Sequence, residues 1–234
     1  MSINPPKRNQ EQPRQNLTQI LEEKERQRQQ VIAINKRASI PVLADLAQSG
    51  FEVEWVSDLY NKRFMYKDAI PILLKWLPRV ENFCVKEDIV RALTVPWAKP
   101  IAAPGLMAEF HRMENESNIG IKWAIANALE VVADDSLFED IVNLVQDTRH
   151  GEARQMLALA LGNMKDVRAQ DVLIGLLEDG LVSGHAIVAL GKLKSIKAYP
   201  HIERFLTHPK TWIRNGAKKA LARIEKAGNK KSPR

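Results

Sequence analysis

The strongest constraint on this chain is a dipeptide that keeps returning. Ala-Leu stands at Ala92-Leu93, Ala128-Leu129, Ala160-Leu161, Ala189-Leu190 and Ala220-Leu221, with leucine spacings of 36, 32, 29 and 31 residues. Four residues before each leucine come Ile89, Ile125, Leu157, Ala186 and Ala217, and eight before come Val85, Ile121, Ala153, Val182 and Ile213. Apolar positions at offsets of zero, four and eight trace the buried stripe of an α-helix. The alanine beside each leucine lets a second helix approach closely. Upstream of these helices lie others with their own aligned apolar sets: Leu73, Trp76 and Leu77; Ile141, Leu144 and Val145; Leu173, Leu176 and Leu177; Ile202, Phe205 and Leu206. Turn formers separate the two, as in "DTRHG", "EDGL" and "THPKT". Strand-like alternation is nowhere sustained. A helical hairpin of about 30 residues buries too little alone, so successive hairpins must stack. The expected fold is an all-α solenoid of about five to six helical-hairpin repeats.

The repeat carries a family resemblance. "EARQMLALALGNMKDVRAQDVLIGLL", "AIVALGKLKSIKAYPHIERFL" and "WIRNGAKKALARI" resemble HEAT repeats, specifically the short HEAT-like type of the phycobilin lyases. Their pattern is a basic residue opening the second helix, then Ala-Leu-Gly, then a loop into the next helix. Residues 137–226 follow it well and 69–136 more loosely, with "VPWAKPIAAPG" interrupting the rhythm. The resemblance implies a right-handed α-α superhelix. It says little about function, because HEAT arrays serve mainly as binding scaffolds.

The flanks are different. Residues 1–37 form a polar N-terminal arm, expected to be disordered through residue 16 and helical from Leu17 to about Arg37. Within it "EEKERQRQQ" is polar all round. The repeat domain then spans 38–226, with 38–60 as a degenerate capping pair, and 227–234 is a basic C-terminal tail. The net charge of +7 resides in these flanks: residues 1–38 carry +4 and 225–234 carry +3. The body between is neutral but polarised, with −7 over residues 130–180 and +8 over 186–224. No apolar run approaches the roughly 18–20 residues that cross a bilayer. Cys84 is the only cysteine, which excludes an internal disulfide or a cysteine-based zinc site. A cytoplasmic location without membrane contact is expected.

Three candidate surfaces emerge. Seven residues before the key leucines stand Lys86, Lys122, Arg154, Ser183 and Arg214, a nearly all-basic row that stacking would align. Cations at helix N-termini oppose the macrodipole, so these side chains should reach for specific acceptors. The favoured reading is structural, bonding across repeats; the functional one is a ladder that flanks a bound partner. Off the buried stripe, Trp123 and Leu159 are exposed apolar anchors on the second helices, which usually line the concave face of such a solenoid. The alternative is that the arm from Leu17 to Arg37 folds back and covers them. Third, Lys192, Lys194, Lys197, Lys210, Arg214, Lys218 and Lys219 gather around Trp212, a composition that binds nucleic acid through phosphates and stacking. A solubilising terminal cap is the plainer account of those lysines.

Chemistry has thin support. Asp88 with Trp97 and Trp123 invites comparison with HEAT-like DNA glycosylases, but no motif of that family or of bilin attachment transfers residue by residue. His185, His201 and His208 fall at three different structural positions and include no i, i+4 ligand pair. No catalytic residue, metal site or cofactor is assigned. The expected function is a non-enzymatic scaffold or adaptor that holds a protein partner on its concave face through Trp123, Leu159, Lys86, Lys122 and Arg154. Nucleic-acid binding through the basic C-terminal repeats and tails is the alternative.

Overall fold

The computed structural model describes residues 11–62, 65–99, 101–113 and 119–229. Twelve α-helices and several short 3-10 turns occur among them, with no β-strand. The all-α solenoid expected from the repeat is what forms. Its helices are α1 (Glu11–Gln48), α2 (Asp58–Asn61), α3 (Ile70–Trp76), α4 (Phe83–Leu93), α5 (Ala102–Arg112), α6 (Ile119–Val132), α7 (Phe138–Gln146), α8 (Ala153–Leu161), α9 (Ala169–Gly175), α10 (Ser183–Leu193), α11 (Tyr199–Glu203) and α12 (Thr211–Asn229). Five hairpins, α3/α4 through α11/α12, follow an N-terminal unit made by the second half of α1 and by α2.

The second helices pack on one another in an unbroken series, α4 on α6, α6 on α8, α8 on α10 and α10 on α12. The first helices touch mainly the second helices of their own and adjoining hairpins. This arrangement puts the second helices on the tighter, concave side. All five Ala-Leu pairs are buried there, as are Ile89, Ile125, Leu157, Ala186 and Ala217. The close approach has a covalent cause in two repeats. A Cβ on Gly162 would lie 2.7 Å from Cα of Ala189, and one on Gly191 would lie 2.8 Å from Cα of Ala220. Glycine after Ala-Leu therefore seats the alanine of the next repeat.

Between repeats, acids of one unit meet bases of the next. Asp45 of α1 bonds Lys75 (2.5 Å), Glu139 bonds Arg168 (2.5 Å), Asp171 bonds Lys197 (2.5 Å), and Glu178 bonds Arg204. These pairs are exposed, each stabilising by up to about 1 kcal/mol. Together they fix register more than stability.

The N-terminal arm departs from the expected boundaries. Helix α1 is already formed at Glu11 and runs unbroken past residue 37 to Gln48, through Pro41. Its second half is locked by buried Val42 and Leu46 against α3 and α4. Asp45 also accepts from the Trp76 indole at 2.7 Å, and Asn82 donates to Asn35 at 2.9 Å. Its first half leaves the body. Residues 17–31 are exposed throughout, so the arm does not fold back over the concave face of its own chain. Residues 1–10 and 230–234, where the remaining expectations about the ends fall, lie outside the described residues.

Candidate functional site

The basic row at the start of the second helices turns inward. Lys86 and Arg154 are each only 4% exposed, and Lys122 is also buried. Arg154 opens α8, donates to the Val145 carbonyl at the end of α7 (2.6 Å) and pairs with Asp179 ahead of α10 (2.7 Å). One guanidinium thus closes its own hairpin and grips the next. Burial pushes the Asp179 carboxyl up, but the Leu181 amide and Arg154 outweigh it and hold it below its ordinary value. Lys86 of α4 pairs with buried Glu109 of α5, and Arg112 lies 3.7 Å from the same carboxylate. Arg214 repeats the theme on α12, donating to the carbonyls of His208 (2.6 Å) and Pro209 (2.8 Å). Lys86, Lys122 and Arg154 therefore present no charge to a partner at the surface. Lys86 and Arg154 hold the repeats together, which resolves the unfavourable macrodipole placement for those two.

The exposed inner face is built by other positions. Trp123 projects from α6 with 37% of its surface exposed. Leu159 of α8 and Val188 of α10 follow, both half-buried. Trp212 at the start of α12 is 50% exposed. Its indole lies over the backbone of α10: a Cβ on Gly184 would fall 2.0 Å from the ring. The other side of the same indole environment is His185, with ring centroids 5.4 Å apart. Beyond it a groove of about 430 Å³ opens between α10 and α12, lined by Val188, Trp212, Asn215, Gly216, Lys219 and Arg223. Gly184 makes room for the indole itself, and Gly216 leaves the groove wall without a side chain. Arg223 belongs with the basic residues that the sequence places beside Trp212, whereas Asn215 and Gly216 were not singled out as site residues. The glycine at 184, where Trp123 stands in the α6 repeat, is the signal that could have revealed this groove.

The basic C-terminal candidates divide into two sets. Lys192 bonds Glu130 (3.0 Å) and Asn163 (3.1 Å), Lys197 bonds Asp171, and Arg214 holds the loop before α12. Lys194 is the left-handed cap that ends α10, at φ 54°. Lys210, Lys218, Lys219 and Arg223 have no acidic partner among the described residues. Three of the eight sequence candidates are thus committed internally, and the unpaired bases cluster on the last repeat.

Asp88 accepts the Tyr60 hydroxyl at 2.8 Å, tying α2 to α4, and burial raises its carboxyl above the ordinary value. Trp97 packs edge-on against Tyr66, at 5.7 Å between centroids. The three histidines are not gathered. His185 is on α10, His201 is exposed on α11, and His208 stacks on Phe205 (6.0 Å) while its Nδ1 accepts from the Lys210 amide (3.1 Å). Among the described residues no group of three His, Cys, Asp or Glu side chains is placed to hold a metal ion. No described helix is long and apolar enough to cross a membrane.

Residues 153–179 match the family model of the PBS lyase HEAT-like repeat. The match opens on Ala153 at the start of α8 and closes on Asp179, so it contains both members of the Arg154–Asp179 pair. The helical stacking on either side of it is consistent with HEAT-like repeats. No curated protein matches the chain.

Proposed function

We propose that this protein is a non-enzymatic binding scaffold whose concave face holds a segment of a protein partner. The observation that carries the reading is the line of apolar side chains left open along successive second helices. Trp123, Leu159, Val188 and Trp212 descend the inner face, and the last two border the groove that ends in Lys219 and Arg223. Solenoids present such extended concave surfaces for recognition, and exposed aromatic anchors are where binding energy concentrates. Like charges at i, i+4 on α12 repel by about 0.2–0.5 kcal/mol. Lys219 and Arg223 bear that cost with no acid beside them, whereas Lys192, one repeat earlier in the same row as Arg223, has Glu130. An apolar residue flanked by carboxylates would fill the groove and supply the missing acids.

The test is selection of peptides from a random display library on the full chain, with direct binding of those enriched. The expected ligands combine an aromatic or aliphatic residue with Asp or Glu. They weaken at least tenfold with Trp212→Ala or Lys219→Glu, and by less with Trp123→Ala. A library that yields nothing sensitive to those substitutions overturns the reading. The unpaired bases of α12 favour one second reading, nucleic-acid binding. It predicts retention on nucleic acid that falls steeply with salt and is abolished by Lys218→Glu with Lys219→Glu.

A further inference from the structure

The first half of α1 is an exposed helix with a pattern. Taking Leu17 as position a of a heptad, the a positions are Leu17, Lys24, Val31 and Ala38, and the d positions are Ile20, Gln27, Ile34 and Pro41. Leu17, Ile20, Val31 and Ile34 are all exposed, with Leu21 beside them. Nothing among the described residues of the same chain covers them. At the base of the helix the seam runs into a groove of about 580 Å³, lined by Ile34, Arg37, Ala38, Pro41, Trp76 and Arg79 among others.

We infer that α1 is a self-association element: the first half of α1 from a second copy of this chain lies antiparallel along it and enters this groove. Two features point to that occupant. First, the seam is self-complementary. In an antiparallel pair, a positions face d positions. A single two-fold register places Leu17 on Pro41, Ile20 on Ala38, Lys24 on Ile34 and Gln27 on Val31 of the other copy. Leu17 and Ile20 of each helix meet the groove of the partner, and nearer the axis the alkyl stems of Lys24 and Gln27 lie over Ile34 and Val31 while their polar ends reach solvent. Second, charge reverses along the helix. Residues 17–25 carry Glu22, Glu23 and Glu25 against Lys24, while residues 26–37 carry Arg26, Arg28, Lys36 and Arg37 with no acid. The same register sets Glu23 of one copy beside Arg37 of the other, with Arg79 on the groove wall. Glu23 is otherwise held only by exposed intrahelical bonds to Arg26 and Gln27. The interface is isologous, so it closes as a two-fold dimer rather than a filament. It leaves the concave face of each copy open at the other end of the solenoid.

Sedimentation equilibrium of the full chain tests this, from nanomolar to high micromolar protein. The expected result is a concentration-dependent dimer for the wild type and a monomer for Ile20→Glu with Ile34→Glu. Both side chains are exposed, so unchanged helicity and denaturant midpoint distinguish loss of pairing from unfolding. Register is read from disulfides in a Cys84→Ser background. Leu17→Cys and Pro41→Cys chains cross-link when mixed, and neither cross-links alone, because like positions stand about 36 Å apart in the antiparallel pair. A wild type that stays monomeric throughout overturns the inference, as does a dimer that survives both glutamates. Cross-linking of Leu17→Cys with itself overturns the antiparallel register.

Discussion

Gly162→Ala and Gly175→Ala change stability in opposite directions, although both replace a helical glycine by the best helix former. Gly175 lies at the end of α9 with φ −59° and ψ −36°, and a Cβ there meets nothing within 4 Å. Alanine should therefore gain about 0.5–1 kcal/mol from the lost freedom of the unfolded chain and from helix propensity. Gly162 ends α8 with φ −68° and ψ −12°, which also suits alanine. Its new Cβ, however, would lie 2.7 Å from both Cα and Cβ of Ala189. Ordinary carbon–carbon contacts are about 3.5–4.0 Å, so α8 and α10 must separate by roughly 1 Å. Overpacking of this kind costs about 1–3 kcal/mol, more than propensity returns. The net expectation is a loss of about 1–2 kcal/mol.

Urea unfolding measures both variants, through a midpoint that moves at constant slope. The two should differ by at least about 1.5 kcal/mol, the sum of the low ends of these ranges. Adding Ala189→Gly to Gly162→Ala removes the clash with Cβ but not the one with backbone Cα. It should restore only part of the loss. If Gly162→Ala is as stable as Gly175→Ala, close helix approach is not what selects glycine after Ala-Leu, and the packing account of the solenoid fails.

Two further outcomes follow from the same contacts. Arg154→Met should cost about 1–3 kcal/mol by leaving the Val145 carbonyl and Asp179 without their donor. Arg168→Met, at an exposed pair, should cost under about 1 kcal/mol in the same urea assay. Hydrogen exchange of the Arg154→Met chain should also quicken at the end of α7 and in the loop before α10. His185 gives a pH dependence. Burial against Trp212 lowers its pKa below the ordinary value, and its Nδ1 finds no hydrogen-bond partner. The folded state then binds this proton less readily than the unfolded one. Stability is greatest above a pH of about 6.5 and declines as pH falls from there through the depressed folded value. His185→Gln should flatten that decline, and an imidazole titration at or above about 6.5 in the folded protein would refute the assignment.

What the sequence revealed, and what it hid, follows from how a solenoid brings residues together. Contacts within one helix lie three or four positions apart, so the buried stripes and the basic row before each Ala-Leu could be read directly. The inward turn of that row followed from the macrodipole argument, and Arg154 bears it out with a carbonyl on one side and Asp179 on the other. The extent of α1 was harder to read. Arg37, Ser39 and Pro41 look like a break, yet Ser39 Oγ simply donates to the Lys36 carbonyl (2.9 Å). Pro41 forgoes one backbone bond at an exposed position while Val42 and Leu46 hold the helix down. The indole of Trp212 over Gly184 was hidden because it joins residues a whole repeat apart and depends on a missing side chain.

Charge is where the solenoid most alters the reading. An acidic block of −7 over residues 130–180 followed by a basic block of +8 over 186–224 looks like a field directed outward. A stack whose period is about 30 residues converts such blocks into neighbours, because each residue faces the one a repeat behind it. Asp171 meets Lys197, Glu178 meets Arg204, and Glu130 reaches two repeats on to Lys192. Three of the nine bases of the second block are thereby paired with acids of the first. The cancellation stops at the end of the array. Lys219 and Arg223 sit on the last inner helix, and the repeat behind them offers Val188 and Lys192 in place of acids. Of the bases left without an acid on the last repeat, Lys219 and Arg223 border the groove that also exposes Trp212, while Lys210 and Lys218 lie outside it.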